Sequence, residues 1–328
     1  MKVCIVGVGA IGGFIGARLA AAQKSDISAI AVGPTLDVMR EHGWRLHQDG
    51  ALIQRPARVS DKASDLGPQD LVVVAVKAQV LPLVAPVVAE LLGPDTVVLP
   101  AMNGVPWWFG HGTALGAEPL QSVDPGGRIA AAIPFERVLG CVVHASASSP
   151  EPGVVRHTMG KGLIVGEAGG GETLRAAAIG ELLQHAGFDV TVSRDVRYDI
   201  WFKLWGNLTM NPVSAITGAT IDRLLHDPLV RDFCSAAMRE AAAIGERVGC
   251  AIAQSPDDRH AVTAKLGAFK TSMLQDVEAG REIELDAIVG AVHEMGWRLG
   301  QPTPSIDALL GLARLFGRVR GLYPEAAA

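Results

Sequence analysis

Lys2-Val-Cys-Ile-Val6-Gly7-Val8-Gly9-Ala10-Ile11-Gly12 is the stretch on which the fold turns. A β-branched run, a GxGxxG turn and, over residues 13–22, an alanine-rich helical stretch follow one another without a gap. That is the context in which this glycine motif carries meaning. Gly7 allows the tight turn, Gly9 lets the backbone approach a pyrophosphate, and Gly12 lets helix and strand pack closely. With Val8, Ala10 and Ile11 they form a loop that would set an anion on the N-terminus of the following helix. Backbone N–H groups and the helix dipole favour negative charge there. A glycine-rich turn without a ligand is the alternative; the strand before and helix after favour a bound dinucleotide.

Outward from this motif, residues 27–32 read as a second strand. An NAD-preferring site usually places an acid at its end, about twenty residues after the motif, to hold the ribose diol. Here Gly33-Pro34-Thr35 offers neither acid nor arginine. This favours NADP(H), with Thr35 or Arg40 as phosphate contacts, and leaves NAD(H) open. Residues 71–76 are a continuous apolar run ending in Lys77, as in a parallel strand buried on both faces. Residues 96–100 are another strand, with Asn103 just beyond. Two polar residues at successive carboxyl ends lie where doubly wound sheets bind ligands, although either alone also reads as a solvated loop residue. The long connection over residues 103–140 carries Trp107 and Trp108, which either line a pocket or anchor the loop.

Further strands are expected at 139–146, 154–157, 163–165 and 189–192, with a helix at 173–186. Beyond about Asp195 helical periodicity takes over, with helices expected at 227–248, 260–279, 284–300 and 305–316. The expected architecture is an α/β Rossmann-type dinucleotide-binding domain over residues 1–194 and an all-α domain over 195–328.

The helical half begins with residues 198–212, Tyr-Asp-Ile-Trp-Phe-Lys-Leu-Trp-Gly-Asn-Leu-Thr-Met-Asn-Pro. Lys203, Asn207 and Asn211 recur every fourth residue and share one helix face, about 6 Å apart along the axis. The surrounding Ile200, Trp201, Phe202, Leu204, Trp205 and Leu208 imply that most of the helix is buried, and Pro212 marks its expected end. An ammonium and two amides aligned on such a surface need partners or a ligand. A lysine snorkelling from a core helix, with asparagines capping loops, accounts equally well for the spacing alone.

The bulk properties bound the reading. At 328 residues, 49% hydrophobic, the chain can bury two cores. A net charge of −5 without a basic run argues against nucleic acid or an anionic membrane as partner. Cys4, Cys141, Cys234 and Cys250 are scattered, with no CxxC pair and no histidine cluster at metal spacing. That usage fits a reduced, cytoplasmic protein without a metal centre. The apolar N-terminus is not read as a signal peptide, because its glycines are ordered and it continues into a domain. No uninterrupted apolar stretch is long enough to span a bilayer.

With these residues in hand the sequence resembles the ketopantoate reductase (2-dehydropantoate 2-reductase) family over most of its length. The resemblance rests on Gly7-x-Gly-x-x-Gly12, Val76-Lys77, Asn103-Gly104, Trp201-x-Lys203-x-x-x-Asn207-x-x-x-Asn211-Pro212, and Ser272-Met-x-x-Asp276 followed by Glu284. It implies a Rossmann domain, a helical C-terminal domain, NADPH, and reduction of ketopantoate to pantoate for pantothenate and coenzyme A synthesis. It also implies Lys203 as general acid, with Glu284 organising that lysine and the cofactor. Asn103, Asn207, Asn211 and Ser272 would hold the substrate, and Lys77 and Asn103 would lie beside the cofactor.

The chemistry asks for such a set. Hydride arriving at a ketone carbon leaves charge on oxygen, which an ammonium stabilises and protonates. A lysine held among Trp201 and Trp205 would have a lowered pKa. Two features depart from the family. Gly33-Pro34 stands where some members carry an arginine, and the segment after Gly104 is longer than in compact members. A reductase of another 2-oxo acid is therefore the alternative, and a dinucleotide-sensing module without turnover a third reading. Apolar positions on the C-terminal helices permit a homodimer.

Overall fold

The computed structural model describes residues 1–325. It divides into two compact units, Met1–Trp108 with Gly127–Asp199, and Phe109–Gly126 with the chain from Ile200 onward.

The first unit begins β1 (Lys2–Val6), α1 (Ala10–Ala22), β2 (Asp26–Ile30) and α2 (Gly33–His42). It continues through β3 (Trp44–Gln48), β4 (Ala51–Arg55), β5 (Arg58–Ser60), β6 (Gln69–Val74), α3 (Leu81–Glu90) and β7 (Leu92–Pro100). Then come α4 (Arg128–Ala132), β8 (Leu139–Glu151), β9 (Val154–Glu167), α5 (Leu174–His185) and β10 (Asp189–Ser193). Strands β5-β2-β1-β6-β7 form one parallel sheet. Val3, Cys4 and Ile5 of β1 and residues 71–74 of β6 are fully buried, as strands covered on both faces require. A second, mixed sheet runs β10-β9-β3-β4, with β8 antiparallel to β9.

Helix α1 packs against both sheets. A Cβ on Gly16 would overlap the Trp44 indole of β3 and lie 3.1 Å from Ile5 of β1. One on Gly13 would come within 2.5 Å of Val155 on β9. Arg18 completes the seam by donating to the carbonyls of Ala186 at 2.9 Å and Gly187 at 2.7 Å and to Gln48 at 2.8 Å.

Two differences from the sequence reading arise here. The β3–β4 hairpin was not expected, although Asp49-Gly50 between two short runs signals one; both residues have positive φ, 51° and 77°. The segments at 154–157 and 163–165 are one strand, β9, whose exposed middle pairs with β8 through irregular register. Backbone pairing continues where the hydrophobic pattern lapses, so side-chain periodicity alone breaks the strand in two.

Helix α6 (Val196–Thr217) carries the chain into the second unit. There follow α7 (Ile221–His226), α8 (Pro228–Arg247), α9 (Pro256–Ala264), α10 (Ser272–Glu278), a π-helical turn at Asp286–Gly290, α11 (Ala291–Leu299) and α12 (Pro304–Val319). Pro212 does not end α6; it lies buried inside it. A proline there gives up the hydrogen bond to the Leu208 carbonyl and crowds that oxygen with its ring, a cost that burial of the flanking turns outweighs, so the helix stays continuous. The stretch 260–279 is two helices, because Gly267 leaves helical space at φ +62°. The stretch from Glu284 enters α11 through the π-turn rather than as one α-helix.

Within this unit α6 lies on α8. The Trp205 indole donates to the Met238 carbonyl at 2.7 Å, and Trp201 occupies the space that a side chain at Gly245 would need. Part of the long connection after Asn103 is fastened to α11. Glu294 accepts from the Gln121 and Ser122 amides at 2.8 and 2.7 Å and from the Ser122 hydroxyl at 2.6 Å. Arg298 donates to the Glu118 and Pro119 carbonyls at 2.9 and 2.5 Å. Burial opposes ionisation of Glu294, but these donors outweigh it and hold the carboxyl below its ordinary value.

Candidate active site

In the first unit the parallel sheet assembles one edge. Val6, Val74 and Pro100 end neighbouring strands in register, and the Ala75 and Ala101 amides extend the ladder by donating to the Val6 and Val74 carbonyls at 2.9 and 2.8 Å. The glycine loop, Lys77 and Asn103 therefore leave adjacent carboxyl ends of one sheet. Lys77 and Asn103 are half-buried. Lys77 caps a short 3-10 turn at Ala78–Val80.

The loop fits a dinucleotide. Gly7 turns at φ +91°, and a side chain there would strike Val76 at 2.5 Å. A Cβ on Gly12 would overlap the Gly7 carbonyl oxygen. Gly9 is different: a Cβ placed on it meets nothing within 4 Å. It is the N-cap of α1 and brings no side-chain hydrogen bond to the first turn. The loop is thus tight where strand and helix meet and open over the helix N-terminus, where backbone N–H groups suit a pyrophosphate.

At the end of β2, Gly33 starts α2 with open space above it and Thr35 in the first turn. Arg40 lies instead in the last turn of α2 and pairs with Asp61 at 3.7 Å. It is therefore remote from the end at which a ribose phosphate was expected. Sequence reasoning passed over Gln79, two residues after Lys77, whose buried Oε1 has no hydrogen-bond partner. A polar residue in the first turn beyond a ligand-facing strand end was the signal for it.

In the second unit Lys203, Asn207 and Asn211 line α6 as their spacing requires. Lys203 and Asn207 are half-buried, whereas Asn211 is 4% exposed. The Asn211 Nδ2 is buried without a partner, a cost of about 1–3 kcal/mol unless a ligand supplies an acceptor. Trp201 and Trp205 do not flank the lysine. Both face α8, roughly 160° around the helix from Lys203 at about 100° per residue. A desolvated lysine between two indoles is therefore not what the packing provides.

Ser272 is exposed at the first position of α10, which Thr271 caps by accepting from the Leu274 amide at 3.2 Å. The neighbouring Asp276 is buried and paired with Arg281 at 3.0 Å, so it stabilises the end of α10. Glu284 is half-buried, just before the π-turn. Trp107 and Trp108 are 6% and 3% exposed, and Trp108 packs on Gly140 of β8. That burial supports the anchoring alternative. Among the described residues no group of three or more metal-ligating side chains converges, and no helix is long and apolar enough to cross a membrane.

Comparison with known proteins gives this geometry a context. Residues 3–170 match the family model "Ketopantoate reductase PanE/ApbA", and residues 195–316 match "Ketopantoate reductase PanE/ApbA C terminal". A 2-dehydropantoate 2-reductase of Mesorhizobium japonicum is 43% identical over 325 residues, covering 98% of this chain and 100% of its own. A crystal structure from Ralstonia solanacearum MolK2, assigned as a ketopantoate reductase, superposes with TM-score 0.95 at 53% identity, covering 98% of this chain and 99% of its own. A PanE/ApbA family ketopantoate reductase of Ralstonia eutropha JMP134 does so with TM-score 0.83 at 25% identity, covering 98% and 100%.

Proposed function

The chain belongs to the ketopantoate reductase family, and from that premise we propose that it reduces ketopantoate to pantoate with NADPH, supplying pantothenate and coenzyme A synthesis. The observation that carries the reading is the aligned face of α6: one ammonium and two amides, the second amide buried with an unmet donor. A 2-oxo acid offers acceptors to all three.

A reduced nicotinamide, when bound, supplies the hydride. Lys203 stabilises the charge that develops on the ketone oxygen and gives it the proton, so carbonyl becomes alcohol with one hydride and one proton added. Asn207 and Asn211 donate to the substrate's carboxylate and hydroxyl oxygens, and Ser272 adds a hydroxyl. Asn103 and Lys77 serve the cofactor's reactive end, and Glu284 orients Lys203. In the division of labour we infer, residues 1–194 hold the dinucleotide and 195–328 the substrate. Phe109–Gly126 groups with the second unit and belongs to that part.

The preference for NADPH over NADH rests on the absence of an acid at the end of β2, where a 2′-phosphate would otherwise be repelled. Exposed Leu312, Leu315 and Val319 on one side of α12 support a homodimer. The deciding experiment follows NADPH and NADH oxidation with ketopantoate beside other branched 2-oxo acids. Ketopantoate with NADPH should give the highest kcat/KM. Equal or better turnover of another oxo acid sinks the ketopantoate reading, and equal use of NADH sinks the cofactor preference.

A further inference from the structure

We propose that Arg259 is a substrate-recognition residue that takes the carboxylate of the 2-oxo acid beside Lys203. The inference rests on the reading of α6 as the substrate helix. Arg259 projects from α9, whose start is set by a capping box: Asp258 accepts from the Ser255 amide at 3.0 Å and hydroxyl at 2.7 Å, and the Ser255 hydroxyl accepts from the Asp258 amide at 3.2 Å. The Arg259 guanidinium carbon lies 4.8 Å from the centre of the Phe202 ring on α6. Its Nε and Nη2 come within 2.9 and 3.1 Å of the point where a Cβ on Gly206 would be. Gly206 sits between Lys203 and Asn207 in sequence, and roughly 60° around the helix from Lys203 at about 100° per residue. The glycine thus admits a guanidinium onto the helix surface beside the proton donor, and Phe202 fixes its plane.

Among the described residues this cation also has no counter-ion. Burial lowers its pKa, and no acidic neighbour raises it. Its Nε is buried without a partner, and among the described residues no hydrogen bond or ion pair engages the rest of the guanidinium. Arg45, Arg55, Arg197 and Arg314 also have a buried, unpartnered Nε, but each commits a terminal nitrogen to a carbonyl or carboxylate. A half-buried guanidinium without an anionic partner is costly, and a carboxylate offers it two charge-assisted hydrogen bonds that its planar fork matches.

The test uses the intact enzyme with its reduced cofactor and compares Arg259→Met, which keeps the apolar stem on Phe202, with Arg259→Lys. Steady-state kinetics are measured for ketopantoate and for its neutral methyl ester, and pantoate is titrated calorimetrically into each protein. Arg259→Met should raise the ketopantoate KM roughly 30-fold, the loss expected of a hydrogen bond to a charged group, with kcat and the ester's kinetics little changed. Pantoate affinity should fall by a similar factor, and Arg259→Lys should recover part of it. An unchanged acid KM and pantoate affinity in Arg259→Met overturns the inference. Equal losses for acid and ester, with a lowered thermal midpoint, also overturn it in favour of a packing role. A wild-type enzyme that turns over no 2-oxo acid defeats the functional reading instead, and pantoate affinity alone then decides on Arg259.

Discussion

Lys203 and Asn211 share a helix face, yet their environments ask different things of a substitution. Lys203→Ala should lower kcat at least ~100-fold, the usual worth of a positioned general acid, while NADPH affinity measured by fluorescence titration stays near that of the wild type. A variant with near-normal kcat would remove Lys203 from that role. Asn211 carries a buried Nδ2 with no partner among the described residues. Asn211→Leu should therefore leave the thermal midpoint unchanged or raise it, because an unsatisfied donor is removed, while raising the ketopantoate KM about tenfold. A destabilised variant with normal KM would mean that the amide serves the fold. The line of three residues was legible in the sequence because helical spacing is a local property. Arg259 was not: it lies 56 residues beyond Lys203, and only packing of α9 on α6 at Gly206 gives it a meaning.

At the scale of one element, the glycine loop and α1 separate folding from binding. Gly12→Ala forces a methyl group into the Gly7 carbonyl and should destabilise the first unit by about 1–3 kcal/mol, as overpacking does, read as a lower denaturation midpoint. Gly9→Ala has room for its methyl group at φ −75° and should melt like the wild type without cofactor. The cofactor should then raise its thermal midpoint much less than it raises that of the wild type, because the methyl group occupies the approach of the pyrophosphate. Equal protection of both proteins by NADPH would place the dinucleotide elsewhere. The motif identified strand, turn and helix because each glycine answers a local steric demand. The β3–β4 hairpin escaped because strands this short carry little periodicity, although Asp49-Gly50 marked its turn. Pro212 misled because a local preference gave way to the burial of α6 on both sides of it.

Across the whole molecule, two hydrogen-bonded carboxylates make stability depend on pH: Glu294, which ties segments more than 170 residues apart, and Glu167, which fastens the start of α5 to the end of β9. Burial opposes the charge on Glu294 and Glu167, but hydrogen bonds from Ser122 and Gln121 in one case, and from Arg175 and Thr173 in the other, hold both below the usual 4.5. A folded-state pKa lower than the unfolded one gives stability that is present above 4.5 and fades as pH falls through the depressed value. The thermal midpoint of the wild type should therefore drop on acidification, and Glu294→Gln should be the less stable protein at neutral pH. The gap between them should narrow below pH 4.5. A gap independent of pH would refute the ionic clamp and leave a neutral hydrogen bond in its place.

Local sequence patterns are enough to identify the class of both halves, the dinucleotide loop, the strand ends bearing Lys77 and Asn103, and the ordered face of α6. Each of these is written in neighbours a few residues apart, through glycine sterics, a buried parallel strand or the helical repeat. The tertiary structure decided what depends on distant partners. It put the Phe109–Gly126 segment under Glu294 and Arg298, packed Trp201 and Trp205 on α8, and buried the Asn211 amide unmet. It also set Arg259 against Gly206. Such contacts join residues tens to more than a hundred positions apart, and side-chain packing rather than local propensity selects them.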